Sequence, residues 1–133
     1  MTVLVDTSVW IGYLRAGSPE LSMGMDRLLA AEEVITCGPV VAELRIGDRS
    51  PDGELSAIMS DLAWADLGRG EWSRVGEVGA RLRRIGESIP LTDLSIAVAA
   101  AAANAALWSL DHDFGRIAGV MPELRLYDDR SAP

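Results

Sequence analysis

Five short apolar runs recur along the chain, at residues 2–5, 34–36, 64–67, 107–110 and 124–127, with longer stretches of helical period between them. Runs this short suit strands, and strands alternating with helices predict βα units, a parallel sheet and right-handed crossovers. The first run is the most informative. Val3-Leu4-Val5 is apolar on both faces, as a strand buried inside a sheet must be. Asp6 then stands at its carboxyl end. Thr7 and Ser8 follow, and their hydroxyls predict the cap of a helix over 8–15, whose apolar residues include Val9, Trp10, Ile11, Tyr13 and Leu14. In open α/β sheets, ligands bind outside the carboxyl ends of the strands.

The remaining helices are marked by caps and periodicity. Ser18-Pro19 starts a second, carrying Leu21, Met25, Leu28 and Leu29. Gly38-Pro39 starts a third over 39–46, in which Val40, Val41 and Leu44 surround Glu43. Residues 47–53 read as a loop, and helices are expected over 54–63, 71–86 and 93–106. A short helix with Phe114, Ile117 and Val120 precedes the last strand, and 128–133 is a polar tail. The expected fold is a single α/β domain over 1–133, a central parallel sheet flanked by helices. A chain of 133 residues has room for one such core.

Charge and composition exclude several functions. The net charge of −8 gives the surface as a whole no attraction for nucleic acid, so any such binding must be local. All twelve basic residues are arginine. Without lysine there is no Walker A phosphate loop and no Schiff-base chemistry. Receiver-type phospho-acceptor domains and haloacid-dehalogenase-type phosphatases also place an aspartate after the first strand, but they use a lysine as well. Cys37 is the only cysteine, which forbids an intramolecular disulfide and suits a reducing, cytoplasmic setting. No apolar run is long enough to span a membrane, and the N-terminus lacks a basic-then-apolar signal pattern.

Most of the twenty acidic residues fall on polar faces or turns, where a solvated charge is the default. Four do not. Asp6 and Asp111 end predicted strands, and parallel strands bring both ends to one edge. Glu43 lies among valines and a leucine. Asp93 opens the most apolar helix of the chain. Each has a plain structural reading as a cap, a turn acid or an exposed helix residue. Together they make a carboxylate cluster with no lysine to pair it. Clustered carboxylates repel, and a divalent cation relieves the repulsion; oxygen-only ligands suit Mg²⁺ or Mn²⁺.

Four segments, Asp6-Thr7-Ser8-Val9-Trp10, Val40-Val41-Ala42-Glu43-Leu44, Leu91-Thr92-Asp93 and Leu110-Asp111-His112-Asp113-Phe114, resemble, in their order and at this chain length, the PIN-domain ribonucleases. Within them the chain is similar to toxin subunits of the VapBC toxin–antitoxin type. The resemblance covers nearly the whole chain. It implies a Mg²⁺- or Mn²⁺-dependent endoribonuclease that cuts a cellular RNA with metal-activated water. Asp6, Glu43, Asp93 and Asp111 would be its acids, with Asp6, Asp93, Asp111 and Asp113 on the metal and Thr7 or Ser8 in support. Ser109 stands where that family often has threonine. The resemblance also implies a homodimer and a hetero-oligomer with a cognate antitoxin. The antitoxin is expected in a groove lined by Trp10, Tyr13, Leu14, Leu21, Met25 and Leu28.

Rival chemistries lack parts. His112 is the only histidine, no nucleophile-elbow sequence is present, and one histidine with one cysteine cannot complete a zinc site. His112 reads as an exposed helix-start residue. Trp10, Trp64, Trp72 and Trp108 are spaced for core or interface packing. Arg81, Arg83 and Arg84 read as a solvated helix face, and Arg45 or Arg49 as the arginines beside the cleft. The alternative of another class is a non-catalytic PIN-like module that binds RNA or protein. A metal-dependent phosphatase or DNA nuclease would use the same acids.

Overall fold

A five-stranded, all-parallel sheet in the order β3-β2-β1-β4-β5 forms the centre of the molecule. The computed structural model describes residues 1–48 and 54–128. Its elements are β1 (Val3–Val5), α1 (Thr7–Leu14), α2 (Pro19–Ala30), β2 (Val34–Thr36), α3 (Gly38–Gly47), α4 (Glu54–Ser60), β3 (Ala63–Trp64), α5 (Arg69–Arg84), α6 (Leu91–Ala102), β4 (Ala106–Trp108), α7 (Asp113–Val120) and β5 (Arg125–Leu126). Most of the expected 47–53 loop, with Arg49, and the tail beyond Asp128 lie outside the described residues.

The strand order explains where a site can form. From β1 the chain steps outward to β2 and β3, then returns through α5 and α6 to β4 on the other side of β1. The direction reverses between β1 and β4, and a crevice opens there at the carboxyl edge. Val5 pairs with Trp108, and the Asp6 amide donates to Trp108 O at 2.9 Å. The ends of β1 and β4 therefore leave the sheet side by side. Right-handed crossovers put α1–α4 on one face and α5–α7 on the other. Within each group α1 packs on α2 and α3, and α5, α6 and α7 pack on one another, while α3 also meets α6 across the two groups. Gly79 lets α5 approach α6 closely, since a Cβ there would lie 3.0 Å from Leu94 Cδ1.

Several element boundaries differ from the sequence expectation, and those of α1, α6 and β4 bear on the site. Helix α1 is capped by Asp6, whose Oδ2 accepts from the Ser8 amide, so Thr7 and Ser8 lie inside the first turn. Helix α6 begins at Leu91, behind Pro90, and stops at Ala102. The alanine run alone favours helix to Ala106. Asn104, however, takes φ 54°, and the Asn104 and Ala105 amides donate back to Ala101 O and Ala100 O, closing the helix in a left-handed C-cap. That frees Ala106 to begin β4. The strand then ends at Trp108, so Ser109, Leu110 and Asp111 form a connector and Asp111 is exposed.

The core corrects the expected partner groove. Trp10 and Met25 are fully buried and Leu28 nearly so, all within the core cluster. They seat α1 and α2 on the sheet and present no surface. Tyr13 and Leu21 are half-buried against the same core, and Leu14 is exposed. Of the tryptophans, Trp10 and Trp108 are core, while Trp64 and Trp72 are about half exposed.

Candidate metal centre

Asp6 is the fixed point of the carboxyl edge. It is buried, and its Oδ2 accepts three hydrogen bonds: from Ser8 Oγ at 2.7 Å, Ser109 Oγ at 2.7 Å and the Ser8 amide at 3.3 Å. Oδ1 takes none of these. Each hydroxyl spends its one proton on Asp6 and uses a lone pair on the connector after β4. Ser8 Oγ accepts from the Leu110 amide at 3.0 Å, and Ser109 Oγ from the Asp111 amide at 2.9 Å. The connector that carries Asp111 is thus pinned to the end of β1.

The pinning continues into α7. Asp111 Oδ1 accepts from the Asp113 amide at 2.9 Å, the arrangement of a side chain capping a helix start. Asp113 in turn accepts from Arg116 Nη1 at 3.0 Å, one helical turn on. Across the crevice, Thr7 Oγ1 donates to Glu43 Oε1 at 2.7 Å and ties α1 to α3. Asp93, in the first turn of α6, is half-buried.

These placements bring Asp93, Asp111 and Asp113 together, each offering a carboxylate oxygen within 4.8 Å of the others. The electrostatics extend the group. Burial pushes the Asp93 carboxyl up to about 6, and the charges of Asp111, Asp6, Asp113 and Glu43 add to the effect in that order. The four other expected acids therefore all act on Asp93. Asp113, which the sequence placed last, belongs to the tight set, whereas Asp6 and Glu43 fall outside it and act on Asp93 through their charge. Cys37 borders the cluster without joining its chemistry. Burial, then Asp6 and Glu43, push its thiol up to about 11 against a lowering backbone hydrogen bond from Val40. His112 is exposed at the N-cap of α7 and makes no capping bond with its side chain.

Two participants carry little signal in the sequence. Ser109 reads there only as a retained hydroxyl, yet it holds Asp6 and the Asp111 backbone together. Arg116 belongs to none of the four segments. Its signal was its spacing, three residues after Asp113 at a helix start. Arg45 is exposed on α3, and Arg81, Arg83 and Arg84 are exposed on α5.

The donor set is all carboxylate oxygen, which fits a hard divalent cation and not a soft one. A cation there would also relieve the repulsion that raises Asp93. Among the described residues no helix is long and apolar enough to cross a membrane.

Comparison with known proteins agrees with this geometry. The PIN domain family model matches residues 3–120. No curated protein matches the chain. Among solved structures, it is similar to a chain of VapBC2 from Rickettsia felis bound to a promoter DNA fragment. The two share 25% identity over 96% of this chain and 98% of that one, with a TM-score of 0.77. It is also similar to a chain of DNA-bound VapBC from Salmonella typhimurium, at 20% identity, 97% and 98% coverage and a TM-score of 0.77. VapC20 of Mycobacterium tuberculosis, a toxin that cleaves the sarcin–ricin loop, matches at 17% identity, 86% and 94% coverage and a TM-score of 0.61. With the family model spanning β1 to the end of α7, and the same fold in these toxin–antitoxin structures, the chain belongs to the PIN-domain family.

Proposed function

We propose that this protein is a Mg²⁺- or Mn²⁺-dependent endoribonuclease and the toxin of a toxin–antitoxin pair. The observation that carries the reading is the carboxylate cluster of Asp93, Asp111 and Asp113 at the switch point of the sheet, beside Asp6. Asp93, Asp111, Asp113 and Oδ1 of Asp6 would hold the cation. When bound, such a cation supplies activation of water and neutralisation of the charge that builds on a phosphate. The chain's own part is preorganisation. Ser8 and Ser109 fix Asp6, Asp111 fixes the start of α7, and Thr7 holds Glu43 where its charge reaches Asp93. Arg45, exposed two residues after Glu43, would steady a flanking phosphate.

The toxin assignment is supported by the likeness to VapBC2 over nearly the full length of both chains. A cellular RNA is the substrate class, as for VapC20, and a homodimer that assembles with a cognate antitoxin is the expected complex. The antitoxin would lie along the exposed edge of α1, where Ile11 and Leu14 are surface residues and Leu110 flanks Gly12.

Incubating the protein with matched RNA and DNA, with Mn²⁺ or with a chelator, tests the reading. We expect RNA cleavage that the chelator stops and that Asp93→Asn abolishes. RNA bound but never cut by folded protein would instead make it a binding module, and cutting of DNA alone a DNA nuclease.

A further inference from the structure

Three carboxylates within 4.8 Å of one another need compensating charge even before a cation arrives. Among the described residues, the cation whose ion pairs reach them is Arg116. Its Nη1 lies 3.0 Å from Asp113 Oδ1, and its Nε lies 3.8 Å from Oε2 of Glu87, in the connector between α5 and α6. The arginine side chain is 54% exposed and the Asp113 side chain 25%. The guanidinium is therefore the more solvent-exposed partner of the pair. A carboxylate committed to a guanidinium has less charge and fewer lone pairs to offer a metal.

Resting on the metal-dependent reading above, we infer that Arg116 is a positioning residue that acts as an exchangeable counter-ion. It pairs with Asp113 while the cluster holds no cation, and shifts to Glu87 when Asp113 turns to one. Glu87 supplies the second seat, and its present 3.8 Å separation leaves room for a shorter pair. The exchange makes Arg116 a competitor of the divalent cation. It keeps the empty cluster folded and lowers the affinity of the loaded one.

Mn²⁺ titration by calorimetry on the full chain, with thermal melts of each variant, tests this. Arg116→Gln should bind Mn²⁺ about tenfold more tightly than wild type, since one competing positive charge is removed near a dication. The same variant should melt lower without Mn²⁺ and gain more on its addition. Arg116→Lys keeps the charge and should behave as wild type. Glu87→Gln should weaken Mn²⁺ binding in the wild-type background and have little further effect in Arg116→Gln, because it acts through Arg116. An Arg116→Gln protein that binds Mn²⁺ no better than wild type, or a Glu87→Gln effect equal in both backgrounds, overturns this inference alone. A wild-type protein that takes up no Mn²⁺ overturns the metal-dependent reading and this inference with it.

Discussion

Ser109 Oγ donates a 2.7 Å hydrogen bond to Asp6 Oδ2, joining the end of β4 to the end of β1 across the point where the sheet reverses direction. The same oxygen accepts the Asp111 amide at 2.9 Å. One hydroxyl thus orients a buried carboxylate and the backbone of the connector that bears another acid.

Removing that hydroxyl should cost both stability and activity. A hydrogen bond to a charged group contributes about 1.5–3 kcal/mol. In Ser109→Ala, Ser8 still serves Asp6, so the loss should sit at the lower end of that range. Cleavage should fall more than stability predicts, because the Asp111 connector is released. Ser109→Thr keeps the hydroxyl and should restore most of both. Denaturant melts and cleavage rates of the two variants check this; an Ala variant as active as wild type would remove Ser109 from the site.

Asp93 sets a pH dependence with a definite sign. Its carboxyl is raised from 3.8 to about 6, first by burial and then by Asp111, Asp6, Asp113 and Glu43. The folded state therefore binds this proton more tightly than the unfolded state. The stability from this group is fully present below about pH 4 and is lost as pH rises through about 6. Metal-free protein should gain in melting temperature on going from pH 7.5 to 5.5, as far as this group decides. Mn²⁺, binding only the folded state, should restore the loss at pH 7.5. Asp93→Asn should flatten this part of the profile and leave the metal-free fold at least as stable at pH 7.5. If that variant loses activity only because it has unfolded, visible by circular dichroism, the account fails.

The parallel sheet was legible because each strand is a short apolar run and each crossover carries its own cap or period. Ser18-Pro19 and Gly38-Pro39 announced their helices with Pro at the first turn of each. The cluster was legible because acids at strand ends and helix starts can meet only at one edge of such a sheet. What the sequence did not disclose depends on single side-chain choices. Asn104, one polar residue among alanines, ends α6 through a left-handed backbone that propensity does not register. Asp6, rather than a following hydroxyl, caps α1, because its carboxylate is already held in place by Ser8 and Ser109. The apolar stripes of α1 and α2 gave no measure of burial, so Trp10, Met25 and Leu28 read as groove when they are core.

The chemistry fixes the product ends. On the function proposed above, a cation held by these carboxylates would supply activated water that attacks phosphorus directly, and the RNA 2′-hydroxyl would not be the nucleophile. Cleavage should leave a 5′-phosphate and a 3′-hydroxyl, readable by end-labelling and mass spectrometry. A 2′-deoxy substitution at the cut site should weaken recognition at most, and cleavage should persist. A 2′,3′-cyclic phosphate would rule the mechanism out, since it requires attack by the 2′-hydroxyl.

The antitoxin should be sensed at Leu14 and not at the buried residues of α1. Leu14 is 39% exposed at the last turn of the helix, and neighbouring Ile11 is 38% exposed. Tyr13, between them and the core, is edge-on to Trp10 at 6.2 Å and donates to Asp26, so its replacement would disturb packing as well as surface. An amphipathic antitoxin segment lying on this edge would reach the carboxylates beyond Leu110, where a basic side chain could pair with them. Leu14→Glu should therefore fold, cut RNA at close to the wild-type rate, and need about tenfold more antitoxin for half inhibition, the loss of ~1.4 kcal/mol expected when an apolar contact is replaced by an unpaired charge. Asp111→Asn, at an exposed carboxylate of the cluster, should weaken antitoxin binding through lost charge, and more so at low salt, where exposed electrostatics are least screened. Titrating wild-type and Leu14→Glu protein with antitoxin, each read by RNA cleavage, decides the matter, and equal inhibition of both would move the antitoxin off this edge of α1.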